Sequence, residues 1–210
     1  MIELPAYPTA PSPWIARFAP LIPDSGDVLD LACGGGRHAR LLAALGHRVE
    51  AVDRDAEALE SLTGQDGVTT RCADLENGPW PYHGRGFDGI VVSRYLWRPL
   101  FPLIFGCLRE GGILIYETFM AGQEQYGKPQ NPVHLLRVGE LLDLMHKRFT
   151  VLAFEQGEFA GDKAHGKLEG PPREFSSPLG GGTSAARSSG GAQVLQRICV
   201  RRGRPVRMPD

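Results

Sequence analysis

Several features that mark specialised classes of protein are absent from this sequence. No stretch reaches the roughly 18 consecutive apolar residues of a membrane-spanning helix. The four cysteines, Cys33, Cys72, Cys107 and Cys199, form no close pair of the kind that binds zinc or carries redox chemistry. Basic and acidic residues nearly balance, at 23 against 24, so the molecule has no overall field that attracts nucleic acid or anionic lipid. We therefore expect a soluble globular protein with reduced cysteines and no membrane partner.

Secretion signals and metal-binding motifs are also lacking. Residues 1–5 carry no basic region, and no apolar stretch follows them, so the cytoplasm is the expected compartment. The six histidines show no ligand spacing with one another or with cysteine. We expect no bound metal.

Glycine, by contrast, is abundant, at 27 of 210 residues. Nine of these glycines and three prolines lie within residues 157–192, a composition that cannot bury enough apolar surface to offset its ordering entropy. We expect a flexible surface insertion there, with a substrate flap as the alternative reading. Residues 1–23 contain six prolines and predict a lead-in with one short helix beginning after Ser12, and residues 201–210 predict a basic, solvated tail.

Short aliphatic strands alternate with amphipathic helices in the rest of the chain, as in a doubly wound parallel sheet. We predict one domain over residues 24–200. The predicted strands are residues 27–32, 48–53, 67–71, 87–92, 112–118, 149–155 and 193–200, and the predicted helices are residues 36–45, 55–62, 96–108 and 137–147.

A glycine turn between the first strand and the first of these helices predicts a ligand site. Gly34, Gly35 and Gly36 allow the backbone to approach a ligand, and the helix directs its N–H groups at it. Gly34 and Gly36 also fit the dinucleotide fingerprint, with Asp53 placed as a ribose-binding acid. The glycines alone therefore leave the ligand open.

Two carboxylates and the C-terminal region argue against a dinucleotide. Asp30, at the end of the first strand, would repel a pyrophosphate but could hold an ammonium group directly or through water. Asp74 follows the third strand, where an adenine amino group would lie. The residues after the fifth strand do not form a second mononucleotide-binding half.

With these motifs the chain resembles the class I S-adenosylmethionine-dependent methyltransferases over residues 24–156 and 193–200. Residues 30–36 resemble the first motif of the family, with Ala32 replacing its usual first glycine, and residues 87–96 and 111–118 resemble the fourth motif and the fifth strand. Residues 116–119 and 132–141 look like the bacterial tellurite-resistance-type small-molecule enzymes.

The resemblance implies the fold, the cofactor and its contacts. The fold would be α/β, with a Rossmann-like, doubly wound, seven-stranded and mostly parallel sheet whose last strand is antiparallel. The cofactor would be S-adenosyl-L-methionine. Its methionine part would meet Asp30 and the backbone from Ala32 to Gly36, its ribose Asp53, its adenine Asp74 and the Leu75 amide. The implied contacts are Asp30, Ala32, Cys33, Gly34, Gly35, Gly36, Asp53, Arg54, Asp74, Leu75, Ser93 and Arg94.

The acceptor is expected to be a small molecule rather than DNA. Residues 93–96 replace the motif of amino-directed DNA methyltransferases, and the Pro-Cys nucleophile of cytosine enzymes is absent. Methyl transfer from a sulfonium requires no dedicated base. Tyr95, Glu117, Tyr126 and His134 are the possible bases near the strand ends, and the sequence assigns the role to none of them. It also leaves the acceptor atom and the choice of monomer or homodimer open.

For several side chains, and for the overall function, a second interpretation of the sequence stays open. Glu117 could instead cap a helix or pair with Arg94 or Arg137, and Trp80 could either cover the adenine or simply pack. A nicotinamide-dependent oxidoreductase is one alternative function. A non-catalytic, methyltransferase-like module that contacts RNA is another, through the C-terminal arginines Arg197, Arg201, Arg202, Arg204 and Arg207.

Overall fold

Seven strands form a single sheet in the computed structural model, which describes residues 10–160 and 192–203. The strands are β1 (Asp27–Leu31), β2 (Arg48–Asp53), β3 (Val68–Cys72), β4 (Phe87–Ser93), β5 (Leu108–Phe119), β6 (Phe149–Phe159) and β7 (Gln193–Arg202). Their order across the sheet is β3-β2-β1-β4-β5-β7-β6. Strand β7 runs antiparallel to both neighbours, and β1 to β5 pair in parallel. The expected doubly wound sheet with an antiparallel last strand is confirmed.

In the described part of the chain, five α-helices accompany the sheet: α1 (Pro13–Phe18), α2 (Arg37–Ala44), α3 (Ala56–Glu60), α4 (Phe101–Cys107) and α5 (Glu140–Met145). Helix α1 begins as predicted, because the Ser12 side chain accepts a hydrogen bond from the Trp14 N–H. The others are shorter than predicted. The segment predicted as one helix over 96–108 starts with a 3-10 turn at Arg98–Leu100 and ends where Leu108 enters β5.

The helices cover both faces of the sheet. Helices α1, α2 and α3 pack on one face against a cluster that includes Val28, Val91 and Ile115. Helices α4 and α5 pack on the other face against Ile90 and Leu114. Both faces of the central strands are therefore buried, as their continuous apolar runs require.

The bounds predicted for the glycine-rich insertion and for the C-terminal tail differ from the structure. Residues 157–159, predicted as the start of the glycine-rich insertion, continue β6, because Gly157 pairs with Leu195 and Phe159 pairs with Gln193. Residues 201 and 202, predicted as tail, belong to β7. Residues 161–191 of the predicted insertion lie outside the described residues, as do residues 1–9 of the lead-in and 204–210 of the tail.

The C-terminal arginines of β7 contact the protein itself. Arg202 donates hydrogen bonds to the carbonyl oxygens of Phe105 and Leu108. Arg197 pairs with Glu117 at 3.4 Å and with Glu155 at 3.2 Å. Arg197 and Arg202 thus make contacts within the protein, and the RNA-contacting surface stays a prediction; Arg204 and Arg207 lie outside the described residues.

None of the helices in residues 10–160 and 192–203 combines the length and the apolarity that a membrane crossing requires. In the same part of the chain, no group of three or more His, Cys, Asp or Glu side chains is arranged to hold a metal ion.

Candidate active site

The carboxyl ends of β1, β2 and β4 surround a cavity of about 530 Å³. The strand order reverses between β1 and β4, and ligands of doubly wound folds bind at such a point. The loop after β3 closes the cavity on one side. The predicted contact residues that line it are Ala32, Cys33, Gly34, Asp53, Arg54, Asp74, Leu75, Ser93 and Arg94. Asp30, Gly35 and Gly36, the other predicted contacts, are not among the lining residues.

The turn between β1 and α2 takes a left-handed backbone conformation at three positions. Ala32, Gly34 and Gly36 have φ angles of 55°, 52° and 73°. A Cβ on Gly36 would overlap the Leu62 side chain, so only glycine fits there. Gly36 thus determines the backbone conformation of the turn although it does not line the cavity.

Asp53 connects the glycine turn to the end of β2. Its Oδ2 accepts a hydrogen bond of 2.7 Å from the Gly34 N–H, and its Oδ1 accepts one of 3.0 Å from the Asp55 N–H. Each carboxylate oxygen can accept more than one hydrogen bond. Asp53 can therefore hold the turn and still accept donors from a ligand in the cavity.

Asp30 lies beneath the cavity wall instead of on its surface. Its side chain is only 1 % exposed, and within the described part of the chain its Oδ2 has no hydrogen-bond partner. Burial raises the pKa of Asp30 to about 7, although the Ala39 N–H and the nearby Arg37 charge act in the opposite direction. The Asp30 side chain thus lies under helix α2, and its contact with a ligand ammonium group, directly or through water, stays a prediction.

Cys33 supplies an apolar part of the wall. The residue is 8 % exposed, and burial together with the charges of Asp30 and Asp53 raises the pKa of its thiol. The thiol stays protonated at neutral pH. It is expected to contribute packing and not nucleophilic chemistry.

The loop after β3 is organised by Asp74. Its Oδ1 accepts hydrogen bonds from the N–H groups of Glu76 and Asn77, at 2.9 and 3.1 Å. The Asn77 side chain and these two N–H groups lower the pKa of Asp74. Trp80 is buried against Tyr82, with ring centroids 5.2 Å apart, and is not among the cavity-lining residues. Of its two interpretations, packing is the one that the structure shows.

Of the residues that line the cavity, Arg37, His38, Asp55, Ala73 and Glu76 were not predicted as site residues from the sequence. Arg37 donates to the Ala10 carbonyl at 3.1 Å and to Ser93 Oγ at 3.3 Å. His38 Nε2 accepts the Ser12 N–H at 3.1 Å, and burial, with the Arg37 and Arg94 charges, lowers the pKa of His38 to about 3. The imidazole is therefore neutral at physiological pH. The sequence feature that could have predicted Arg37 and His38 is their position directly after the glycine turn. The first side chains of a helix lie beside a ligand that is bound at the helix N-terminus.

The four possible bases lie in different environments. Tyr95 lines the cavity, and burial raises the pKa of its phenol. Glu117 is 4 % exposed and pairs with Arg197, so the predicted partners Arg94 and Arg137 are wrong for its side chain. Tyr126 is 43 % exposed. His134 lines a second cavity that adjoins the first. Only Tyr95 among them reaches the main cavity.

Residues 28–112 match the protein family described as Methyltransferase domain. The chain has the class I methyltransferase fold. The methyltransferase resemblance drawn from the sequence motifs is thus confirmed.

Solved methyltransferase structures share this fold at low sequence identity. TehB from Haemophilus influenzae superposes with a TM-score of 0.63 at 18% identity, covering 90% of this chain and 61% of that one. N-methyltransferase NodS from Bradyrhizobium japonicum WM9, in complex with S-adenosyl-L-homocysteine, gives 0.59 at 13% identity, with 90% and 84% covered. A SAM-dependent methyltransferase from Methanosarcina mazei gives 0.59 at 17% identity, with 92% and 98% covered.

The chain thus spans less than two thirds of the length of TehB. No curated protein matches the sequence.

Proposed function

We propose that this chain is an S-adenosylmethionine-dependent methyltransferase that acts on a small organic acceptor. The observation that carries the proposal is the cavity at the ends of β1, β2 and β4, where the glycine turn, Asp53 and Asp74 come together within the segment that matches the methyltransferase family. The N-methyltransferase NodS, which has this fold, binds S-adenosyl-L-homocysteine in its solved structure.

The residues of the cavity fit the chemical groups of this cofactor. Asp53 and Asp74 offer carboxylate oxygens to the ribose hydroxyls and the adenine amino group, which are hydrogen-bond donors. Arg37, Arg54 and Arg94 line the same cavity and offer positive charge to the carboxylate of the methionine part. The apolar atoms of Ala32, Cys33 and Leu75 suit the thioether chain and the purine ring.

When bound, the cofactor supplies a methyl group already activated by its sulfonium. The chain then has to hold the reacting groups in line and to keep water away, since proximity and orientation supply most of the rate. Tyr95, at the edge of the cavity, is placed to position the acceptor. Its raised pKa keeps the phenol neutral, so it acts as a hydrogen-bonding group.

Binding of S-adenosylhomocysteine, measured by isothermal titration calorimetry, tests the proposal. Asp53→Ala is expected to weaken binding at least about tenfold, corresponding to about 1.4 kcal/mol. Asp66→Ala, an exposed carboxylate outside the cavity, serves as the matched control and should leave affinity unchanged. Asp53→Asn keeps one acceptor oxygen, so its affinity for S-adenosylhomocysteine should lie between those of Asp53→Ala and Asp66→Ala.

The same titration separates the proposal from the nicotinamide-dependent alternative. NADH shares the adenine and the ribose but carries a pyrophosphate where S-adenosylhomocysteine carries a thioether and an amino acid. Clear binding of NADH without binding of S-adenosylhomocysteine would reject the methyltransferase proposal.

A further inference from the structure

A second cavity, of about 490 Å³, adjoins the cavity described above. The two share Glu76, Arg94 and Tyr95 in their walls. The second cavity is otherwise formed by the end of β5 and by residues 128–134. Because the two cavities meet at three side chains, a molecule in the second lies next to a molecule in the first.

The outer wall of the second cavity is fixed to the protein core at its first end. Gln123 is 4 % exposed, its Oε1 accepts the Val194 N–H at 2.8 Å, and its Nε2 donates to the Lys128 carbonyl at 3.3 Å. This buried amide therefore places Lys128 at the edge of the cavity.

The other end of this wall is fixed by Arg98. Its guanidinium donates to the Val133 carbonyl at 2.6 Å and to the Leu135 carbonyl at 2.9 Å. It also pairs with the buried Glu140 at 2.7 Å, and these contacts lower the pKa of Glu140 and raise that of Arg98. With both ends held, residues 128–134 form a defined wall.

Basic side chains outnumber acidic ones in the lining of the second cavity. The residues that line this cavity alone include Lys128 and His134 but no acidic residue. Lys128 has no ion-pair partner within residues 10–160 and 192–203. The single acid, Glu76, lies at the boundary with the first cavity, together with Arg94. Leu96, Phe119 and Pro129 supply apolar parts of the lining, and Thr118, Gln130 and Asn131 supply uncharged polar parts.

Tyr95 stands at the boundary between the two cavities. The Tyr116 hydroxyl donates to its carbonyl at 2.9 Å and fixes its backbone. The Tyr95 phenol oxygen is buried and has no hydrogen bond of normal geometry in the described part of the chain, and burial and the nearby Glu76 carboxylate raise its pKa. A buried polar atom without a partner is costly, and a ligand group at the boundary would satisfy it.

We propose that the second cavity binds the methyl acceptor and that the acceptor is a small organic anion with an apolar body. Its carboxylate or phosphate lies against Lys128, and its nucleophilic oxygen or nitrogen lies at Tyr95 and Glu76. On transfer, the carbon–sulfur bond breaks as the bond to the acceptor forms, the sulfur keeps the electron pair, and the acceptor proton passes to the Glu76 carboxylate and then to water.

This inference rests on the proposed function, and ligand pairs that differ only in charge test it. The probes are 4-hydroxybenzoate and 4-hydroxybenzamide, titrated by NMR into the protein saturated with S-adenosylhomocysteine. We expect the acid to bind about fivefold more tightly than the amide, as one ion pair to the exposed Lys128 allows. Equal binding of the two, or no binding of the acid, would overturn the proposal.

Variants of Lys128 test whether the charge of this side chain causes the preference for the acid over the amide. Lys128→Met should remove the preference for the acid, and Lys128→Arg should retain it. Lys147→Met, an exposed lysine outside both cavities, should leave it unchanged. An unaltered preference in Lys128→Met would refute the role of Lys128.

Failure of this inference differs from failure of the proposed function. Binding of S-adenosylhomocysteine depends on the first cavity and should be equal in all these proteins. If that ligand does not bind, the proposed function fails. If it binds but the acid is not preferred, only the acceptor proposal fails.

Discussion

Ala32 occupies a backbone position that its side chain does not favour. Its φ of 55° lies in the left-handed region, where a residue with a Cβ loses about 1 to 2 kcal/mol. Ala32→Gly relieves this strain but adds freedom to the unfolded chain. We therefore expect the variant to be more stable by about 0.5 kcal/mol, as measured by urea unfolding. A lower stability would show that the Ala32 methyl group packs more favourably than its backbone is strained.

Gly36 presents the opposite case. Its φ is 73°, and an added Cβ would also overlap Leu62. Gly36→Ala is expected to lower the free energy of unfolding by about 2 kcal/mol or more. Gly64→Ala is the matched control, because Gly64 has φ of 74° but no atom within 4 Å of the added Cβ. It should cost about 1 kcal/mol from the backbone alone. Equal losses in the two variants would contradict the contact with Leu62.

Asp30 makes stability depend on pH through its burial. Its pKa is raised from the ordinary value of 3.8 to about 7. Between these values the native state holds the proton and the unfolded chain does not, so this group's contribution to stability falls as pH rises from about 4 to about 7. Each unit of pKa difference corresponds to about 1.4 kcal/mol.

Asp30→Asn should remove this dependence. The stability of the variant relative to the wild type is expected to increase between pH 4 and pH 7 and to level off above, as measured by urea unfolding at several pH values. His38, whose pKa is lowered to about 3, adds stability as pH rises toward 6.5, but it does so in both proteins and cancels in the difference. Asp66→Asn is the control. A difference that does not change with pH would contradict the raised pKa.

At the scale of secondary-structure elements, strand β7 is joined to helix α1 through Arg197. The guanidinium lies 5.3 Å from the Trp14 ring centroid and 3.6 Å from that of Phe159, and it pairs with the buried Glu117. Arg197→Met is expected to cost about 3 kcal/mol, because it leaves the Glu117 carboxylate buried without its main counter-charge.

The double variant Arg197→Met with Glu117→Leu should be more stable than the sum of the two single changes predicts. We expect a coupling of about 1 kcal/mol or more in a double-mutant cycle measured by urea unfolding. Additive effects would mean that Arg197 acts through its aromatic contacts and not through Glu117.

The elements that the sequence predicted well are those specified by local pattern. Strand β2 has the predicted bounds of 48–53, because its apolar run is enclosed by a glycine turn and the Asp55 cap. Strand β6 was predicted to end at 155, since Gly157 resembles the start of a loop. Its continuation to Phe159 depends on pairing with β7, which is distant in sequence. Local composition cannot report such a partner.

The site residues also divide into those that the local sequence pattern predicts and those whose position depends on distant parts of the chain. The glycine turn, Asp53 and Asp74 follow strand ends, and a parallel sheet brings such ends to one edge. Asp30 was expected at the ligand because it lies near a strand end, but alternation along a strand tells the face of a side chain and not its depth. Arg37 and His38 were missed because their contacts, Ala10, Ser12 and Ser93, come from other parts of the chain.

Residues 10–160 and 192–203 form one sheet, covered on both faces and open to ligands at the carboxyl ends of its first four strands. Its positive and negative residues are nearly equal in number, so attraction of a charged acceptor has to come from local groups such as Lys128. The segment 161–191 leaves and re-enters this sheet at one place, since Phe159 and Gln193 are paired neighbours. It can therefore be removed without changing the path of any strand.

Replacing residues 161–191 with the dipeptide Asn-Gly tests whether this segment is an insertion into a single domain. The new loop would connect two paired strands with a turn sequence that suits a hairpin. Because each halving of loop length recovers about 0.6 kcal/mol, a loop about eightfold shorter should raise the free energy of unfolding by about 2 kcal/mol. A Gly-Ser linker of the original length is the control and should leave stability near the wild-type value. Affinity for S-adenosylhomocysteine should be the same in all three proteins. If it falls in both variants while the fold is retained, the segment contributes to the binding site and is not an insertion without function.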